Sequence, residues 1–328
     1  MAAHELVVNV DSISDFHGSS FDEIFVLGII SSGYPQAVLD GSDGLDTLDA
    51  RNVFVGSDAL NFRDALIGDI NGFSVGDFGA LNFEQIFGSF ENNNSFLLQN
   101  IDYALKVHGG SGDDWFATSI GPSDAFTADA LHGYGGNDYF YVRPLDQAFG
   151  GDDNDIFDLY ASAGDLTGSL VDGGDGVDGL ELGFGWTVDL SVGYAEAPFS
   201  GALDRYTLIS IENVEVDAWR GYLSRVTGSA ESNVLSVDLD FNDGSVGVVF
   251  EGLAGEDLLL GSNGEDTLLG GGNDDTLVGR SGADILEGGD GVDAASFAGS
   301  FSRVDVRLAL SNYAHGGDAT GDRLNGIE

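Results

Sequence analysis

Five aspartates stand nine residues apart: Asp257, Asp266, Asp275, Asp284 and Asp293. A regular column of carboxylates with no basic column beside it repels itself unless something neutralises it. Carboxylates set in turns rich in backbone oxygen suit a hard cation. Ca2+ takes six to eight oxygen ligands, backbone carbonyls included, at about 2.3–2.6 Å.

The aspartates belong to five nonapeptides in unbroken register: GLAGEDLLL, GSNGEDTLL, GGGNDDTLV, GRSGADILE and GGDGVDAAS, from Gly252 to Ser296. Position one is Gly252, Gly261, Gly270, Gly279 and Gly288; position four is Gly255, Gly264, Asn273, Gly282 and Gly291. Glycine lets the backbone turn through conformations closed to other residues. Asn is among the non-glycine residues that best tolerate positive φ, so the position-four column reads as a turn. Position eight is apolar, with Leu259, Leu268, Leu277, Leu286 and Ala295. It fits the middle of a short strand whose side chain points inward. One inward residue per nine gives a thin core. A buried leucine contributes roughly 1.5–3 kcal/mol, against roughly 1–2 kcal/mol to order each backbone residue. Apolar burial alone loses that comparison.

The pattern G-G-x-G-x-D-x-U-x resembles the calcium-binding repeats of the RTX (repeats-in-toxin, haemolysin-type) family. The resemblance implies an all-β fold, a parallel β-roll or right-handed β-helix solenoid with irregular β insertions. It implies two nonapeptides per turn, with Ca2+ held between loops stacked on the same side. Asp257, Asp275 and Asp293 would then form one file, and Asp266 and Asp284 the other. The array would enclose two ions on the first side and one on the second, with half-sites at its ends.

Looser copies of the repeat lie upstream. GSDGLDTLD at 41–49 carries Asp46. GGSGDDWFA at 109, GYGGNDYFY at 133, GGDDNDIFD at 150 and GGDGVDGLE at 173 carry Asp114, Asp138, Asp155 and Asp178. Their turn glycines are Gly109 and Gly112, Gly133 and Gly136, Gly150, and Gly173 and Gly176; Asp153 stands at position four of the third. The intervals of 24, 17 and 23 residues are near one full turn of eighteen. These four aspartates are therefore expected in a single file, with ligand-free turns on the opposite side. Val107, Leu131 and Val171 take the inward strand phase just before the repeats, with Ala148 a weaker match. GSAESNVLS at 228–236 puts Asn233 where aspartate belongs.

A second, longer period is present. Asp46, Asp178 and Asp293 are each followed by a non-repeat excursion reaching Glu84, Glu212 or Glu328, after 38, 34 and 35 residues. Two excursions share Asp-Arg before that marker, Asp204-Arg205 and Asp322-Arg323. Alternating runs such as Thr187–Leu190 and Asp305–Leu308 read as strands widening the roll or flanking it. The chain divides accordingly into N-terminal cap strands at 1–40, a first unit at 41–181, a second at 182–296 and the start of a third at 297–328. It is expected to continue beyond Glu328 in a longer protein.

Of 328 residues, 56 are acidic and 11 basic, for a formal charge of −45. No basic patch can be assembled for nucleic acid. A composition 42% apolar with 22 phenylalanines argues for a folded chain once its charge is neutralised. Cysteine is absent, consistent with metal in place of disulfides. The N-terminus lacks the basic region of a secretory signal, and no apolar run reaches membrane-spanning length. RTX relatives typically leave the cell by a type I route, which implies a secreted or cell-surface location.

Catalytic signatures give little. His4-Glu5 is followed by Val8, so the zinc motif H-E-x-x-H fails, and Lys106 has no P-loop before it. The expectation is a non-catalytic, structural, adhesive or secretion-assisting module whose partners are calcium and neighbouring domains. The alternative is a polysaccharide-binding module or a lyase- or epimerase-like β-helix enzyme. It rests on Trp115, Tyr139 and Tyr141, which should point outward beside inward Phe116 and Phe140.

Overall fold

The computed structural model describes residues 4–8, 15–17, 23–27, 37–40, 47–49, 60–63, 77–81, 85–88, 90, 93–98, 104–118, 128–161, 167–199, 202–218, 222–239, 246–308 and 313–328. They form an all-β protein dominated by parallel strands. The chain divides into two compact units, Met1–Tyr160 with Gly168–Gly176, and Ala161–Thr167 with Val177–Glu328.

In the N-terminal unit one parallel ladder runs through His4–Val8, Glu23–Leu27, Thr47–Asp49, Gln85–Phe87, Lys106–Gly110, Ala130–Gly135, Gln147–Asp152 and Thr167–Asp175. The other runs through Asp15–His17, Ala37–Asp40, Asp77–Leu81, Leu60–Arg63, Asn94–Leu98, Trp115–Thr118, Tyr139–Val142 and Ile156–Leu159. Segment 1–40 thus contributes rungs to both ladders. Asp46 and Glu84 lie outside the described residues.

Parallel pairing in register stacks like side chain on like. Val107, Leu131, Ala148 and Val171 share one register line, and all four are fully buried. Ala148 therefore belongs with the others. On the facing ladder Phe96, Phe116, Phe140 and Phe157 stack inside the unit with centroids 5.0, 4.5 and 4.9 Å apart. The outward side of the first ladder carries a second stack, Phe87, His108, His132 and Phe149, at 4.3, 5.1 and 4.7 Å. Stacked rings of this kind gain about 0.5–1.5 kcal/mol per pair beyond area burial.

In the C-terminal unit one parallel ladder comprises Thr187–Asp189, Arg225–Thr227, Val249–Ala254, Thr267–Gly272, Ile285–Asp290 and Arg323–Asn325. The other comprises Gly179–Leu182, Asn213–Asp217, Val234–Asp238, Leu258–Leu260, Thr276–Val278 and Ala294–Ala295. Successive nonapeptides of the array alternate between ladders, so equivalent aspartates are 18 residues apart. The position-eight leucines 259, 268, 277 and 286 are fully buried, while Ala295, at the end of its ladder, is only half-buried. The excursions add antiparallel hairpins. Tyr194–Phe199 and Ala202–Ile209 follow Thr187–Asp189, and Asp305–Arg307 pairs with Tyr313–His315. Trp186 and Tyr206 anchor the first hairpin from within.

Phe140 is flanked by a stacked ring on each side, so the register prevents collapse into the space it fills. Phe140→Ala is expected to cost about 3–5 kcal/mol, read as a lower denaturant midpoint. A cost under about 1 kcal/mol would show that the phenylalanine stack does not hold this unit.

Candidate metal centre

Each repeat closes a tight loop before its strand. Position four takes positive φ at Gly136, Asp153, Gly255, Asn273 and Gly282 (φ 95°, 76°, 111°, 78° and 148°). The two non-glycine residues in that column thus adopt the turn expected of them. Gly112, Gly176, Gly264 and Gly291 do not take positive φ. Position two also takes positive φ at Tyr134, Gly151, Gly174, Leu253, Gly271, Arg280 and Gly289. Tyr134, Leu253 and Arg280 put large side chains among the glycines of that column, which hid its conformation in the sequence.

The position-six side chain follows one rule. Its Oδ1 accepts the backbone N–H of the equivalent residue one rung earlier. In the N-terminal unit Asp114 N–H donates to Asp138 (2.7 Å) and Asp138 N–H to Asp155 (2.8 Å). Of the four aspartates expected in a single file, these three are joined in it; Asp178 belongs to the C-terminal unit. In that unit Asp257 N–H donates to Asp275, and Asp275 N–H to Asp293, both at 2.9 Å. Asp266 N–H donates to Asp284, also at 2.9 Å, in the second file. The two files are those that the register implies.

The same rule exposes residues that the repeat pattern missed. Glu328 Oε2 accepts the Asp293 N–H and Glu212 Oε2 the Asp178 N–H. The glutamates ending the excursions therefore occupy position six of the next rung. Asp322 accepts from Asp284 N–H at 3.1 Å, and Leu324 is buried at the inward position. Residues 317–325, GDATGDRLN, are thus a further nonapeptide whose Thr320 disguised the position-four column. Asn94 begins the N-terminal file, donating its N–H to Asp114 at 2.6 Å. On the opposite side, Asp129 accepts from Leu105 N–H (2.9 Å) and Asp146 from Asp129 N–H (3.1 Å). That side was expected to lack ligand-type residues. It has carboxylates without the glycine turn, and Arg143 N–H takes the second oxygen of Asp146. Asn233 N–H donates to Asp257 Oδ1 at 2.7 Å, and its own Oδ1 is held by Ser229 N–H.

The second oxygen is the atom left over for a cation. Oδ2 of Asp138, Asp257, Asp275, Asp284, Asp293 and Asp322 is buried without a hydrogen-bond partner. A buried carboxylate oxygen left so is costly. At Asp138, Asp257, Asp275, Asp284 and Asp293 it lies against the position-one glycine of its own loop. A methyl group on Gly252 would overlap Asp257 Oδ2 and approach the Gly270 carbonyl at 2.6 Å; on Gly270 it would overlap Asp275 Oδ2 and approach the Gly288 carbonyl at 2.7 Å. A carboxylate oxygen and the next rung's carbonyl thus face one point in loop after loop. Among the described residues no three acidic, histidine or cysteine side chains converge on one point, so a cation here would draw on backbone carbonyls. The donor set is all oxygen, which fits Ca2+.

Without a cation, burial pushes these carboxyls up: Asp114 to about 7, Asp138 to about 9, Asp284 to about 8, and Asp257, Asp266 and Asp322 to about 6. At Asp114 the N–H groups of Asn94 and Gly110 offset part of the rise.

The spacing of a nucleophile elbow does occur, at Gly72-Phe73-Ser74-Val75-Gly76, outside the described residues. No family model matches the chain, nor does any curated protein.

Two expectations follow. A carboxyl whose folded pKa exceeds its unfolded value binds a proton on folding. In chelator the fold should therefore be most stable below about pH 4 and lose stability as pH rises from there towards about 9, read from thermal melts. A chelated protein that gains stability over that window would show these carboxyls to be already paired. Gly270→Ala should cost about 1–3 kcal/mol through overpacking. Gly272→Ala, with its nearest neighbour at 3.8 Å, should leave the unfolding midpoint within error; equal costs for both would remove the steric account of position one.

Proposed function

We propose that this chain is a calcium-binding β-roll region of the RTX type, part of a secreted or cell-surface protein, and that it folds on meeting extracellular calcium. The observation that carries this reading is the file of buried Oδ2 atoms at Asp257, Asp275 and Asp293, each beside a backbone carbonyl of the next rung. Asp257, Asp275 and Asp293, on the first side of the array, are the residues best placed to hold ions. Asp138 offers the same arrangement in the N-terminal unit.

Where calcium is scarce, the charge of −45 and the desolvated carboxylates oppose the compact state. Where calcium is abundant, its binding energy becomes folding energy. Extracellular modules typically bind at roughly 10⁻⁴–10⁻³ M, a range that separates the two compartments. The role is structural: a rigid, non-catalytic stack that displays or helps to fold neighbouring domains. The polysaccharide-binding alternative has less support. Trp115 is 40% exposed, but Tyr139 on the adjacent rung is half-buried and directs its hydroxyl towards Asp158.

Far-UV circular dichroism during a calcium titration of the chelated chain tests the reading, with NaCl and Mg2+ as controls. A cooperative gain of β-signal with Ca2+ alone is expected; an equal response to the controls would mean charge screening and end the site assignment. Asp275→Asn keeps an acceptor for the Asp257 N–H but removes the charge, and should move the transition to higher calcium.

A further inference from the structure

Four of the five loops in the regular array leave a carboxylate oxygen buried and unsatisfied, at Asp257, Asp275, Asp284 and Asp293. The fifth does not. Asp266 Oδ2 accepts the N–H of Ser262 at 2.7 Å. Its Oδ1 accepts the Ser262 hydroxyl and the Val248 N–H, both at 2.8 Å. Ser262 stands at position two, where all four of the other loops take positive φ, at Leu253, Gly271, Arg280 and Gly289. Ser262 does not take that conformation, and so its N–H faces the carboxylate.

The next loop on the same side carries the only basic residue between 252 and 296, Arg280. It also stands at position two, with φ 65°. Its side chain turns back towards the preceding rung, and Nη1 donates to the Gly261 carbonyl. That carbonyl belongs to the position-one column, in which the carbonyls of Gly270 and Gly288 lie beside the orphaned oxygens of Asp257 and Asp275. The guanidinium is half-buried and is held there by the charges of Asp266 and Glu215. It thus brings a fixed positive charge and a donor to the space between the two loops.

We infer that Arg280 is an internal substitute for a metal ion, so that the loop pair Gly261–Asp266 and Gly279–Asp284 holds no calcium. This rests on the calcium reading and refines it. This loop pair is stapled by protein groups, while Asp284 and Asp322, further along the same side, keep their orphaned oxygens. The expectation of one ion on the second side is replaced by a guanidinium. An arginine suits this position because it stays charged at all relevant pH and is more weakly hydrated than an ammonium.

The test counts ions. Calcium bound per folded chain is measured by equilibrium dialysis, and again from the slope of folding free energy against calcium concentration. Arg280→Gly restores the residue found at position two of the GGGNDDTLV and GGDGVDAAS repeats and suits the positive φ. It should bind one more ion than the unmodified chain, with a correspondingly steeper slope. Arg280→Lys keeps the charge and should keep the original count. If Arg280→Gly does not fold, Arg280→Gln, which keeps a donor for the Gly261 carbonyl without the charge, should show the same gain. An unmodified chain that binds calcium, with an unchanged count in the uncharged variants, overturns this inference alone. An unmodified chain that binds none overturns the calcium reading and this inference together.

Discussion

The structure depends on one hydrogen bond repeated along each file: a side-chain oxygen at position six accepting a backbone N–H one rung earlier. It does three things at once. It satisfies a backbone donor that the turn would otherwise bury unpaired. It fixes the register of successive rungs, because a slip of one residue would break the bond and turn the inward column outward. It also orients the carboxylate so that its second oxygen is left facing its own position-one glycine. Fold and candidate ion site are therefore one arrangement. The residue that sets the register also carries the unpaired charge, and the glycine that admits it cannot be enlarged.

The acceptor need not be aspartate. Asn233 holds its own loop through Ser229, and Glu212 and Glu328 complete the file where a long excursion returns. Only a carboxylate leaves a charged oxygen over, and only a short one with a glycine-lined loop buries it. The chain thus separates two roles that the regular array combines. Register needs any polar acceptor, whereas an ion needs aspartate, glycine at position one and a free second oxygen. Asp146 and Asp266 meet the first requirement and fail the last, since Arg143 and Ser262 donate to the second oxygen.

What was legible in the sequence follows from that separation. The two files of the array, the inward leucines and the single file of Asp114, Asp138 and Asp155 could be read because aspartate, glycine and an apolar residue recur together. The positive φ of Asn273 and Asp153 could be read because few other residues accept that conformation. Asp322, Asn94, Asp129 and Asp146 could not, since each keeps the hydrogen bond but loses part of the glycine framework around it. The position-two turn was hidden for the opposite reason. Tyr134, Leu253 and Arg280 take positive φ with side chains that do not advertise it. The strain is tolerated because the rungs on either side over-determine the loop.

The excursions show how far this arrangement tolerates insertion. Between Asp178 and Glu212 the chain builds an antiparallel hairpin with its own buried Trp186 and Tyr206. It then returns to the ladder with Leu180 beside Val214 and Asp178 hydrogen-bonded to Glu212. Between Asp293 and Glu328 it builds another hairpin and returns through two rungs, Arg323–Asn325 on one side and Glu328 on the other. In both cases the stack resumes one turn later, as if nothing had been inserted. Glutamate is well suited to the return. Its extra methylene lets a less tightly wound loop still reach the waiting N–H, and no position-one glycine is needed to make room. The hairpins can therefore vary in length and surface without disturbing the files, provided that the returning strand presents an acceptor in phase.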